Sequence, residues 1–116
     1  MFQGKGSVVN LISCTKIFSV DTNASKEEFD LQTDAIADAL FDLEQVNAQL
    51  KDSAVGVDLS AKILEITVTV EHSSIDEGQA AATLFINQAL KQAGGESPAN
   101  ALTMTQTSQA AKLLAA

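Results

Sequence analysis

A chain of 116 residues with 46% apolar side chains has the size of one domain and enough apolar surface for one core. Fifteen acids stand against seven bases, a formal charge of −8, and every base is a lysine; arginine, tryptophan and tyrosine are absent. That balance argues against nucleic-acid binding, which leans on basic surface, bidentate arginine and aromatic stacking, and against an anionic membrane surface as partner.

Met1 to Thr15 carries Gly4, Gly6 and little periodicity, and reads as a flexible leader. Within it, Leu11-Ile12-Ser13-Cys14 loosely resembles a bacterial lipoprotein cleavage box. The apolar run before it, Val8 to Ile12, is interrupted by Asn10 and falls short of the roughly 7–15 residues of an export signal, so Cys14 reads as unlipidated. A lone cysteine permits no intrachain disulfide, which suits a reducing, cytoplasmic setting. No segment reaches the roughly 20 apolar residues of a membrane span, so membrane insertion is not expected.

Lys16 to Asp21 predicts a short first strand, with Phe18 and Val20 on one face and Ile17, Ser19 and Asp21 on the other. Ser25-Lys26-Glu27-Glu28 is a capping box, in which the serine oxygen takes a backbone N–H and the glutamate reaches back to the serine. From there to about Val46 the period is helical, and Phe29, Ile36, Leu40 and Leu43 fall on one arc beside Thr33 and Asn47. Gln49 to Ser53 reads as a polar connection. Ala54 to Ser60 and Ile63 to Glu71 alternate strictly and predict two antiparallel strands. Val55, Val57 and Leu59 then share a face with Leu64, Ile66, Val68 and Val70.

Ser74-Ile75-Asp76-Glu77 repeats the capping signature and opens a second helix to about Ala93, ended by Gly94-Gly95. Its buried arc is Ile75, Gly78, Ala82, Phe85, Ile86, Ala89, Leu90 and Ala93. Ala101 to Thr107 predicts a last strand, with Leu102 and Met104 inward. Ser108 to Ala116 reads as a tail that could form a short helix, although nine residues alone are marginal. Strand, helix, strand, strand, helix, strand over 16–107 resembles the ferredoxin-like βαββαβ arrangement, an α+β fold with two helices on one face of a four-stranded antiparallel sheet. Phe18-Ser19-Val20-Asp21-Thr22 and the acidic first helix also resemble small uncharacterised bacterial proteins, which implies no activity.

Chemistry-bearing patterns are few. Asp30, Asp34, Asp38 and Asp42 recur every four residues, with Glu27 one turn before, and line the outer face of the first helix. Their three like-charge pairs cost on the order of 1 kcal/mol together, which the buried arc outweighs. The stripe reads as a solvated face or a docking face for a basic partner; a straight helix cannot wrap a cation. Leu31, Phe41 and Leu84 fall on the outer sides of the helices and, with Asp34, Asp38 and Asp42, are the candidate interaction residues. The sheet's uncovered face carries Asp21, Asp58, Glu65, Thr67 and Glu71 among serines and threonines, a candidate ligand platform that would repel anions. A polar, acidic wall of that kind also argues against two sheets closing into a barrel.

His72 stands alone at a strand end. Zinc spacing, a phosphate-binding glycine loop and a nucleophile triad signature are absent. Catalysis would fall to carboxylates such as Asp58 with Glu65, or Asp21 with Glu71, and an open face does not supply the burial that raises one pKa. No catalytic residue, cofactor or metal is therefore expected. The leading expectation is a non-enzymatic self-association or assembly module, an acidic subunit pairing with itself or another protein. The alternative is a regulatory domain resembling amino-acid-sensing ferredoxin-like domains, binding at Asp21-Thr22-Asn23 and the first helix's N-terminus.

Overall fold

The computed structural model describes residues 10–20, 25–94 and 104–115. In chain order these form β1 (Asn10–Val20), α1 (Lys26–Val46), β2 (Leu50–Asp58), β3 (Ile63–His72), α2 (Ile75–Gly94) and β4 (Met104–Ala115). The strands make one antiparallel sheet in the order β2-β3-β1-β4, so β1 and β3 are central and β2 and β4 are edges. This is the βαββαβ arrangement that the sequence pattern implies.

Both helices start where the serines stand. Ser25 Oγ accepts the Glu28 N–H at 3.1 Å, while the Glu28 carboxylate accepts the Ser25 N–H at 2.8 Å. At α2, Ser74 Oγ accepts the Glu77 N–H at 3.2 Å, but the Glu77 carboxylate turns to the hydroxyls of Ser73 (2.6 Å) and Ser74 (3.1 Å). Phe29, Ile36 and Leu40 of α1 are fully buried, each contributing about 1.5–3 kcal/mol as an upper bound. Gln32 and Ala39 join them, while Leu43 packs at the margin. On α2 the buried set is Gly78, Ala82, Phe85, Ile86 and Ala89, with Leu90 and Ala93 partly covered. Ile75 departs from the predicted arc: as the first helical residue it stays exposed.

Three boundaries differ from the sequence reading. The supposed leader is strand from Asn10 onward, and Ile12 and Cys14 lie wholly inside the core. Lipidation of Cys14 is incompatible with that burial. The inward column of β1 runs Ile12, Cys14, Lys16, Phe18, Val20, and Lys16 interrupts its apolar pattern. Lys16 is only 4% exposed, and none of the ion pairs among the described residues involves it.

The second difference is at β2, which begins at Leu50 inside the supposed polar connection. A register shift between Leu50 and Asp52 puts Leu50 opposite Val70 and Ser53 opposite Val68. The inward residues are thus three apart, which hides the strand from a period-two reading. Val57, opposite the inward Leu64, keeps the predicted face, whereas Leu59 falls in the turn beyond β2; both are exposed.

The third is the tail. It forms no helix: β4 continues to Ala115, antiparallel to β1. Two register shifts, one between its partners Leu11 and Ile12 and one between Ile17 and Phe18, break its alternation. Leu102 lies outside the described residues.

Candidate functional site

Among the described residues the helices cover one face of the sheet and leave the other open. On the open face Thr15 and Thr67, directly opposite on β1 and β3, share a hydrogen bond of 2.9 Å between their hydroxyls. Glu71, at the end of β3, lies 3.7 Å from the Lys51 ammonium. Glu65 stands opposite Ile17 on β1 and Gly56 on β2; Ile63 stands opposite Ser19 and Asp58. The last two rows border an open depression of about 340 Å³ lined by Ile17, Gly56, Val57, Asp58, Ile63 and Glu65. A Cβ on Gly56 would stand 3.8 Å from the Glu65 carboxylate, an ordinary van der Waals contact.

Of the predicted platform residues, the structure therefore brings Asp58 and Glu65 to one depression. Thr67 lies one row further along and Glu71 at the far end, tied to Lys51. Asp21, with Thr22 and Asn23, lies outside the described residues. Ile17 and Ile63 form an apolar floor that a search for polar side chains passes over; their isolation on an otherwise polar face is the sequence signal for it.

Asp58 has a local task. Its Oδ1 accepts the Ala61 N–H (3.1 Å), the Ser60 hydroxyl (2.8 Å) and the Ser60 N–H (3.1 Å), tying down the β2–β3 turn. The Ala61 N–H, then the Ser60 hydroxyl, hold its carboxyl below the ordinary aspartate range. A carboxylate held ionised in this way is no proton donor near neutrality. The turn closes with Lys62 in the left-handed region (φ 56°), its carbonyl accepting the Val20 N–H at 2.8 Å.

The Ser73 hydroxyl, then that of Ser74, lower the Glu77 pKa in the same manner. Both carboxyls have folded pKa values below their unfolded ones, so their contribution is complete above the unfolded pKa and is lost as pH falls through the folded one. Tm is expected to hold level above about pH 5 and to fall on acidification below about pH 4. Asp58→Ala should lower Tm at neutral pH and make the acid decline shallower, as read by thermal melts across a pH series.

Among the other titratable groups, burial pushes the Cys14 thiol up, partly offset by the Lys16 ammonium two residues on, so Cys14 is an inert core thiol. His72 Nδ1 accepts the Ser73 N–H at 3.0 Å, which occupies its lone pair, and Glu77 lies 4.0 Å away. Among the described residues no three His, Cys, Asp or Glu side chains converge closely enough to hold a metal. No helix among them is long and apolar enough to cross a membrane.

The interaction residues lie on the helical side. Leu31 is 70%, Phe41 60% and Leu84 57% exposed, with Asp34 and Asp38 exposed between the first two and Asp42 exposed just after Phe41. Ten residues separate Leu31 from Phe41, or about 15 Å along the helix and roughly 80° around it, so the two do not form one patch. Asp42 reaches across to α2, accepting from Gln92 Nε2 at 3.4 Å, and Lys26 pairs with Asp30 at 2.8 Å.

No protein-family model matches the chain, and no curated protein matches it. Solved structures do. A dimeric protein of unknown function and ferredoxin-like fold from Bacteroides fragilis NCTC 9343 is 14% identical, covers 90% of this chain and 95% of its own, and superposes with a TM-score of 0.53. A dimeric ferredoxin-like protein of unknown function from Thermobifida fusca YX is 19% identical over 92% of each chain, with a TM-score of 0.47. Another dimeric ferredoxin-like protein, from an uncultured marine organism, is 14% identical over 92% of this chain and 96% of its own, at 0.44. Strand order, helix placement and the first of these likenesses together make the chain a ferredoxin-like α+β domain.

Proposed function

We propose that this protein is a non-enzymatic self-association module, an acidic subunit of a homo-oligomer. The observation that carries the reading is large apolar side chain left in water along an edge of the sheet: Leu113 and Leu114 of β4 are each about half exposed, while Leu31, Phe41, Val46 and Leu84 add exposed apolar surface elsewhere. Burying such surface against a second subunit returns roughly 25 cal/mol per Å² before the cost of association. Among the described residues the two sheet edges, β2 and β4, pair with no further strand and supply backbone donors and acceptors. The Bacteroides fragilis protein with the same fold is described as dimeric, which supports the same reading. A cytoplasmic setting, with neither nucleic acid nor membrane as partner, fits the lone buried thiol and the charge of −8.

The alternative is a small-molecule regulatory domain, favoured by the depression at Asp58 and Glu65. It offers carboxylate acceptors over an apolar floor. At the start of α1 the capping box already uses the Glu28 and Ser25 N–H groups, which leaves fewer donors for an anion. Sedimentation velocity over a concentration series tests the first reading: a concentration-dependent dimer or larger species is expected, and a strict monomer would overturn it. A thermal-shift screen of amino acids and amines tests the second, which fails if none raises Tm.

A further inference from the structure

The two edges of the sheet are not equivalent. β2 carries Lys51, Asp52 and Asp58, the charges with which natural sheets discourage pairing at an edge. In β4 the eight residues from Met104 to Ala111 include no ionisable side chain, in a chain with fifteen acids and seven bases; Lys112 is the strand's single charge. Between its two register shifts, Ser108 to Leu113 runs in unbroken register against Ile17 to Ile12. Ser108, Gln109 and Ala110 are exposed in succession, so side chains on both faces of this segment meet water.

We infer that β4 is the interface between two copies of this chain, which pair antiparallel along this edge into one continuous eight-stranded sheet. This rests on the self-association reading and adds the surface to it. A two-fold axis perpendicular to the sheet keeps each residue on its own face, so the axis passes through a residue paired with its own copy. Centring it on Ala110 or Ala111 sets small side chains at the closest approach. Lys112 then faces Ser108 or Ala110 of the second copy, and no like charges oppose each other.

Charge selects a second copy for this edge. Two chains of −8 repel over most of their surfaces, and the aspartate stripe makes α1 the worst place for them to meet. α1 packs on α2 and β2, across the sheet from β4. With strands about 4.8 Å apart, pairing through β4 keeps the two β2 strands about 34 Å from each other. That is several screening lengths at physiological salt.

The test uses the full chain with Ser108→Lys and Ala110→Lys together. Both substitutions reduce the net negative charge, so general repulsion falls while lysines are set against lysines across the axis. The dimer dissociation constant should rise about tenfold or more, with far-UV circular dichroism unchanged. A parallel variant, Leu31→Lys with Phe41→Lys, should leave the dimer intact. A wild-type dimer that survives the β4 lysines overturns the interface and spares the self-association reading; a wild-type monomer overturns both. If the β4 lysines unfold the chain, Ala110→Cys and Ala111→Cys decide, each made together with Cys14→Ala because position 111 faces Cys14 across the ladder: one of the two should oxidise to an interchain disulfide, and failure of both overturns the interface.

Discussion

Removing residues 1–15 should abolish the native fold, where loss of a true leader would leave Tm unchanged. The cut takes Asn10 to Thr15 from the central strand, where each residue faces a partner on β3, and Leu11 to Thr15 face β4 as well. It also takes Ile12 and Cys14 out of the core and strips the second half of β4 of its ladder. A milder version isolates the packing contribution. Ile12→Ala should cost about 2–5 kcal/mol, a large part of the roughly 5–15 kcal/mol that holds a domain of this size together. Urea unfolding followed by circular dichroism reads both, and an unchanged midpoint for Ile12→Ala would contradict the burial of that side chain.

Gly78 should prove the most intolerant position on α2. A Cβ added there would stand 3.2 Å from Ile12 Cβ and Cγ1 and would collide with the end of that side chain. Alanine ordinarily gains about 1 kcal/mol over glycine within a helix. Here overpacking of about 1–3 kcal/mol opposes the gain, so Gly78→Ala should be destabilising, and Gly78→Val should cost about 3 kcal/mol or more. Ile12→Val removes the methyl that meets the new Cβ first. The pair Ile12→Val with Gly78→Ala should therefore be less destabilised than the sum of the singles, by about 0.5–3 kcal/mol. Strict additivity would mean that α2 does not approach β1 as closely as the structure has it.

Both experiments turn on Ile12, a residue whose importance the local pattern concealed. Its column alternates correctly through Cys14, Phe18 and Val20, but Gly4, Gly6 and the run interrupted at Asn10 make the segment before Lys16 read as a leader, and Lys16 itself breaks the apolar pattern of the column. A lysine can take an inward position because its methylene stem covers apolar surface, and nothing in a local window foretells that. β4 was masked in another way. Ala110-Ala111-Lys112-Leu113-Leu114 has the composition of a helix, and its strand conformation comes from hydrogen bonds to β1, some ninety residues earlier.

At the candidate site, the carboxylates Asp58 and Glu65 and the outward Leu31, Phe41 and Leu84 could be placed from periodicity alone. The convergence of Ile17 with Ile63 beneath those two carboxylates depended on strand order. So did the contrast between a charged β2 edge and a neutral β4 edge.

Local chemistry by itself settled where the helices start, which of their arcs are apolar, and that β2 and β3 pair as a hairpin, because caps, helical period and alternation act over a few residues. The tertiary structure alone decided where β1 begins, how far β4 runs, which strands form the edges and why Gly78 must lack a side chain. Those outcomes depend on ladders and contacts between distant segments, whose energies no short window of sequence contains.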